Sequence, residues 1–168
     1  MELDPDFGAY VRERRPALIR FALALTSNAS DAEDLVQTAL TRTALRWKSV
    51  RNRDNPDAYV KQAIVRQHIN HWRRWTSREL PTGTMPERPS APVDVETREV
   101  VWSALAGLPP RQRAVIVLRY YEDLSEAQIA QTLGCSQGTV KSQAAKAMRH
   151  LRGMTGLRER ESTVEGAG

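Results

Sequence analysis

From Ala32 to Trp47 apolar side chains return every three or four positions, at Ala32, Leu35, Val36, Ala39, Leu40, Ala44 and Trp47, with Thr43 among them. That spacing predicts one stripe of an amphipathic helix, begun by a Ser30 to Glu33 capping box and ending near Trp47. Upstream, residues 6 to 26 carry Phe7, Tyr10, Val11, Leu18, Ile19, Phe21, Ala22 and Leu25, interrupted by Pro16. A proline there kinks a helix or starts a new one as its first residue. A third helix is predicted from Asn55 as cap, Pro56 in the first turn and Asp57 beside the dipole, continuing to about Trp75. It holds two apolar rows, Val60, Ile64, His68, His71, Trp75 and Val65, Ile69, Trp72, and both cannot be wholly buried in so small a module.

The pattern then lapses. Residues 76 to 95 contain Pro81, Pro86, Pro89 and Pro92 among Ser, Thr and Gly, which predicts an extended linker rather than part of one compact domain. Helical patterning resumes near Val95. Ser125 and Gln128 form a capping box ahead of Ile129, Ala130 and Leu133, Gly134 supplies a left-handed stop, and Cys135 and Ser136 make a turn. Val140, Ala144, Ala147, Met148 and Leu151 then form the apolar stripe of a further helix. The predicted fold is all-α: two small helical domains, residues 1–75 and 96–152, joined by a flexible linker at 76–95. The tail at 153–168 lacks periodicity and is expected to be disordered.

Composition narrows the chemistry. In 168 residues, 25 Lys and Arg against 20 Asp and Glu give a net charge of +5, a mild pull toward a polyanion. One cysteine, Cys135, excludes an intramolecular disulfide and a cysteine-rich zinc site. No apolar run is long enough to span a bilayer and no cleavable leader is visible, so the expected location is cytoplasmic. Phosphate loops, nucleophile elbows and metalloprotease motifs are all lacking, so no enzymatic activity and no cofactor is expected. His68 and His71 have no nearby Cys or carboxylate to complete a metal site and read as polar surface or DNA-facing groups.

The acid-free stretch from Ala127 to Arg152 carries Gln137, Thr139, Lys141, Ser142, Gln143, Lys146 and Arg149 away from the apolar stripe. Gln and Lys suit purine edges in a major groove, and Ser, Thr and Arg suit phosphates. A solvated face of an ordinary helical hairpin is the alternative, weakened by the capping, the Gly stop and the missing acids together. The third helix is also basic, with Lys61, Arg66, Arg73 and Arg74. Its Trp72-Arg73-Arg74-Trp75 run interleaves rings with guanidinium groups, the mixture that single-stranded nucleic acid calls for. Trp72 completes a core row or faces nucleic acid; spacing alone leaves both open. The polar face of the Ala32 helix, Asp34, Gln37, Thr41 and Arg42, is by chemistry alone solvent.

Leu108-Pro109-Pro110-Arg111-Gln112-Arg113, Leu118 to Ser125, Ile129-Ala130, Leu133-Gly134 and Gly138-Thr139-Val140-Lys141-Ser142 together resemble region 4 of sigma-70 family factors, above all the short extracytoplasmic-function (group IV) class. Asp31-Ala32-Glu33-Asp34-Leu35-Val36-Gln37 resembles the region 2.2 signature of that class. The resemblance covers nearly everything except the linker and tail. It implies a sigma factor that binds core RNA polymerase, through the clamp coiled coil and the flap, and recognises promoter DNA. Asp34, Gln37 and Thr41 would then face polymerase. Arg51, Asn52 and Arg53 in the loop, with Lys61, Arg66, Trp72, Arg73, Arg74 and Trp75, would engage and melt the minus-ten element. Gln137, Thr139, Lys141, Ser142, Gln143, Lys146 and Arg149 would read the minus-35 element. Group IV factors are commonly held off by an anti-sigma factor. Thr38 stands where the family often has Glu, and Arg66 where many members have Asn. Two other classes compete: a stand-alone helix-turn-helix regulator, which leaves the Asp31 to Gln37 helix unexplained, and an interaction protein with an acidic partner.

Overall fold

The computed structural model describes residues 2–77 and 102–165, with side chains over 2–73 and 102–154. It divides into two compact units, Met1–Pro92 and Val93–Gly168. Every element among the described residues is helical.

In the first unit α1 (Pro5–Thr26), α2 (Ala29–Ala44) and α4 (Pro56–Ser77) pack on one another, and the single turn α3 (Trp47–Val50) lies between α2 and α4 in sequence. Leu18, Phe21, Ala22 and Leu25 from α1, Ala32, Val36 and Ala39 from α2, and Val60, Ile64 and Val65 from α4 form its buried core. These are the stripes predicted from spacing. Asp4 caps α1, its carboxylate accepting the Asp6 N–H at 3.0 Å. The helix runs unbroken through Pro16, which is exposed.

Several boundaries differ from those expected. Asn28, not Ser30, caps α2: its Oδ1 accepts the Asp31 N–H at 3.0 Å. The Ser27 to Asn28 corner forces this, because Ser27 takes a left-handed φ of 54° to end α1 and the next residue must already start α2. Glu33 is thereby released from capping and pairs with Arg15 at 2.6 Å. The Ala32 helix stops at Ala44, and Trp47 begins the separate turn α3, its ring 5.2 Å from Phe7 and 5.1 Å from Tyr10. A side chain that looks like the last rung of one stripe thus anchors the next element.

The second unit contains a helical stretch at residues 102–106, α5 (Pro110–Ile116), a π-helical turn (Val117–Tyr121), α6 (Glu126–Leu133) and α7 (Gln137–Glu165). Leu108, Ile116 and Ala147 form a core, with Leu105, Met148, Leu151 and Met154 against it. The expected disordered tail is corrected here: the backbone stays helical to Glu165. Met154 packing on that core explains why the helix passes Arg152, since burying one more apolar side chain extends the stripe by a turn. The linker expected at 76–95 is helical at 76 and 77; the rest of it lies outside the described residues.

Candidate nucleic-acid and polymerase interfaces

The helix-turn-helix is built as its residues dictate. Ser125 Oγ accepts the Gln128 N–H at 3.2 Å while Gln128 Oε1 accepts the Ser125 N–H at 2.9 Å, closing the capping box. Gly134 ends α6 at φ 67°, a left-handed conformation that a side chain disfavours. Ser136 Oγ then accepts the Thr139 N–H at 3.1 Å and starts α7. Val140 and Ala147 of α7 are buried, and Gln137, Lys141, Ser142, Lys146 and Arg149 are exposed on the same helix. Thr139 and Gln143 are half-buried, and the Thr139 hydroxyl is 2.9 Å from Ser136 Oγ. Lys141 lies 3.8 Å from Glu126, and the same carboxylate holds Arg119 at 3.1 Å.

The second region comprises the loop after α3 and the helix α4. Asn55 Oδ1 caps α4 by accepting the Ala58 N–H at 3.0 Å. Arg51, Asn52 and Arg53 are exposed, Arg53 with its guanidinium 4.8 Å from the Tyr59 ring. Arg51 also reaches back to α1, at 3.2 Å from Asp6 and 3.8 Å from Asp4. Lys61 is half-buried, 3.3 Å from Asp57 and 5.6 Å from the centroid of the buried Phe21 ring. Arg66 and Arg73 are exposed; Trp72 is half-buried, edge-on to His68 at 6.5 Å. Only one of the expected surface histidines is at the surface: His71 is exposed, whereas His68 is 5% exposed, because it continues the Val60 and Ile64 row one turn further. The side chains of Arg74 and Trp75 lie outside the described residues.

Asp34, Gln37 and Thr41 are exposed on α2, at i, i+3 and i+7, opposite the buried Val36 and Ala39. The Thr41 hydroxyl donates to the Gln37 carbonyl at 2.8 Å. These residues form a short polar row on a rigid helix.

Two organising clusters escaped the sequence. Arg113, 1% exposed, donates from Nε to the Leu105 carbonyl at 2.7 Å and from Nη2 to Ala106 at 2.9 Å and Leu108 at 3.2 Å. It thus bonds two carbonyls at the end of the 102–106 helical stretch, where intrahelical partners run out, and the Leu108 carbonyl just beyond it, sharing Leu105 with the Leu108 N–H. Asp57 receives Tyr10 Oη at 3.1 Å and the Arg14 fork at 3.0 and 2.8 Å. Burial by itself raises the Asp57 pKa, but the Arg14 hydrogen bond, the Lys61 charge and the Tyr10 hydrogen bond outweigh it and hold the carboxyl below its ordinary value. For Tyr10, burial and then the Asp57 charge push the phenol well above its ordinary range. The signal available in sequence was the i, i+4 pair Tyr10 and Arg14 on one face of α1, which names no partner until α4 is docked.

The family pattern described as Sigma-70 region 2 matches residues 10–78, and that described as Sigma-70, region 4 matches residues 98–151. The chain belongs to the extracytoplasmic-function class of the sigma-70 family. It is 39% identical over 149 residues to the RNA polymerase sigma-E factor of Streptomyces coelicolor, covering 88% of this chain and 84% of that one. It is 34% identical over 150 residues to the ECF RNA polymerase sigma factor SigL of Mycobacterium tuberculosis, covering 83% of each. Among solved structures it resembles the sigma factor RpoE of Bartonella quintana, seen in complex with the anti-sigma factor NepR, at TM-score 0.66 and 25% identity, over 90% of this chain and 98% of that one. No described helix is long and apolar enough to cross a membrane.

Proposed function

We propose that this sigma factor holds a promoter at two points and polymerase at two more. Gln137, Lys141, Ser142, Lys146 and Arg149 of α7 meet the minus-35 element, with Thr139 and Gln143 at the edge of the contact. The loop 51–55 with Arg66, Trp72, Arg73, Arg74 and Trp75 engages and opens the minus-ten element. Asp34, Gln37 and Thr41 of α2 dock on the polymerase clamp, and the second unit meets the flap. Lys61, sandwiched between Asp57 and Phe21, serves this surface as support more than as a contact.

The observation that carries this reading is the exposed, acid-free row on α7, set on a helix-turn-helix whose turn is closed by the Gly134 stop and the Ser136 cap. Such a row addresses phosphates and base edges at once. A stand-alone regulator would explain that row but gives no purpose to the exposed polar row of α2. By likeness to the RpoE and NepR pair, an anti-sigma protein is a further partner.

The test is reconstitution. The purified chain mixed with core polymerase forms holoenzyme and starts transcripts from promoters identified by mapping transcript starts after overproduction. Gln37→Arg lowers affinity for core polymerase while leaving helix content unchanged; equal affinity removes α2 from the clamp contact. A chain that binds those promoters equally well without polymerase is the stand-alone regulator instead.

A further inference from the structure

The loop between α3 and α4 is tied at both ends to a single helix. At its start, Arg51 Nη1 sits 3.2 Å from Asp6 Oδ2 and 3.8 Å from Asp4 Oδ2, at the first turn of α1. At its far end, Asp57 accepts Tyr10 Oη at 3.1 Å and both arms of the Arg14 fork, from the second and third turns of the same helix. Between these ties the Phe7, Tyr10 and Trp47 rings pack together, fixing the α3 turn from which the loop springs. Asn52, Arg53, Asp54 and Asn55 are left exposed.

We propose that the first three turns of α1 are a splint that presets this loop for the promoter strand, and that Arg51 is a positioning residue rather than a DNA contact. The proposal rests on the reading of residues 51–55 as the promoter-opening loop and narrows its DNA contacts to residues 52–55. With both ends held, the loop loses its freedom during folding and not during the encounter with DNA, so less of the interaction with the opened strand is offset by ordering. Asp4 serves twice: one carboxylate oxygen caps α1 while the other faces Arg51.

Plain electrostatics predicts the opposite sign, which makes the idea testable. Two carboxylates beside a DNA-binding loop repel phosphate, so removing them should strengthen promoter binding if Arg51 touches DNA. The splint requires a loss instead. The experiment uses full-chain holoenzyme on a mapped promoter, supplied as a duplex and as the same template already melted around the start site. Asp4→Asn combined with Asp6→Asn, which keeps a capping side chain at position 4, should lower open-complex formation on the duplex about two- to fivefold, the size an exposed ion pair supplies. The premelted template should respond by less than about twofold, and affinity for core polymerase should not change. Arg51→Asp should lose more, and adding Asp6→Arg to it should restore duplex opening to within about twofold of the wild-type chain. An unchanged or increased opening rate in the Asn pair, or no recovery in the charge swap, overturns the splint. Wild-type holoenzyme that starts no transcript from any promoter overturns the underlying reading, and the splint with it.

Discussion

Asp57 shows how much a single carboxylate can organise, because it is bound by a forked guanidinium, a phenol and an ammonium from two helices. Its pKa is lowered in the folded state, so its contribution to stability is complete above the unfolded carboxyl value of about 4 and is lost as pH falls through the lower folded value. Tyr10 has the opposite sign. Its raised pKa gives stability that is complete below the unfolded phenol value of about 10 and disappears as pH rises beyond it. Thermal unfolding of the first unit should therefore weaken at both ends of the pH scale. Asp57→Asn should flatten the acid limb and Tyr10→Phe the alkaline one, measured as the difference from the wild-type curve; a Tyr10→Phe curve parallel to wild type above pH 10 removes the phenol from the account. Arg113 makes a second residue-scale case. Arg113→Met strips three carbonyls of a buried charged donor, and the expected loss in the second unit is about 3 kcal/mol. Native-state hydrogen exchange over residues 102–154 reads that loss, and protection as strong as in wild type refutes it.

At the scale of elements, what spacing and capping chemistry can specify was legible, and what a neighbour decides was not. The Ser125 box, the Gly134 stop, the Ser136 start and the Asn55 cap are short-range and each appears where expected; the Ser30 cap does not, because the left-handed Ser27 corner hands the start of α2 to Asn28. The end of α2 was misplaced because Trp47 fits the stripe, yet its burial is provided by Phe7 and Tyr10 of another helix. The length of α7 was underestimated because Met154 is held by a core that includes Leu105, Leu108 and Ile116 from outside that helix, which spacing along the helix cannot reveal. Of the candidate site residues, Gln137, Lys141, Ser142, Lys146 and Arg149 on α7 and Asp34, Gln37 and Thr41 on α2 are exposed as the pattern implies, Thr139 and Gln143 are half-buried, and the partners of Arg51 and Lys61 on α1 are tertiary. The Gly134 stop gives the test at this scale. No atom lies within 4 Å of a Cβ built at that position, so Gly134→Ala meets only the backbone penalty of the left-handed conformation, about 1 kcal/mol. Gly134→Asn should cost less, since Asn tolerates that conformation better. Thermal melts of the two variants in that order of stability confirm the mechanism, and equal melts refute it.

For the whole molecule the consequence lies in how two modest contacts add. The exposed row of α7 that we propose meets DNA includes two lysines and one arginine within 137–149, too few charges for tight binding by that row alone. On the proposed reading, once that row is held in one holoenzyme with the proposed minus-ten surface, the second contact becomes effectively intramolecular, and affinity rises without any new contact. The salt dependence of promoter binding then counts the phosphates that each unit neutralises. Lys146 is exposed on α7, and Lys146→Glu should reduce the slope of log K against log salt by about one unit. Lys141→Glu should reduce it by less, because Glu126 lies 3.8 Å from that ammonium and competes with phosphate for it in the wild-type chain. Arg66→Glu, in the other unit, should lower the slope by a similar unit, and the combined Lys146 and Arg66 variant by about the sum, since the two sites share no partner. Holoenzyme binding measured across a salt series distinguishes the cases. A slope unmoved by Lys146→Glu takes α7 off the DNA, and a combined variant no worse than either single one means that the two units do not hold one promoter together.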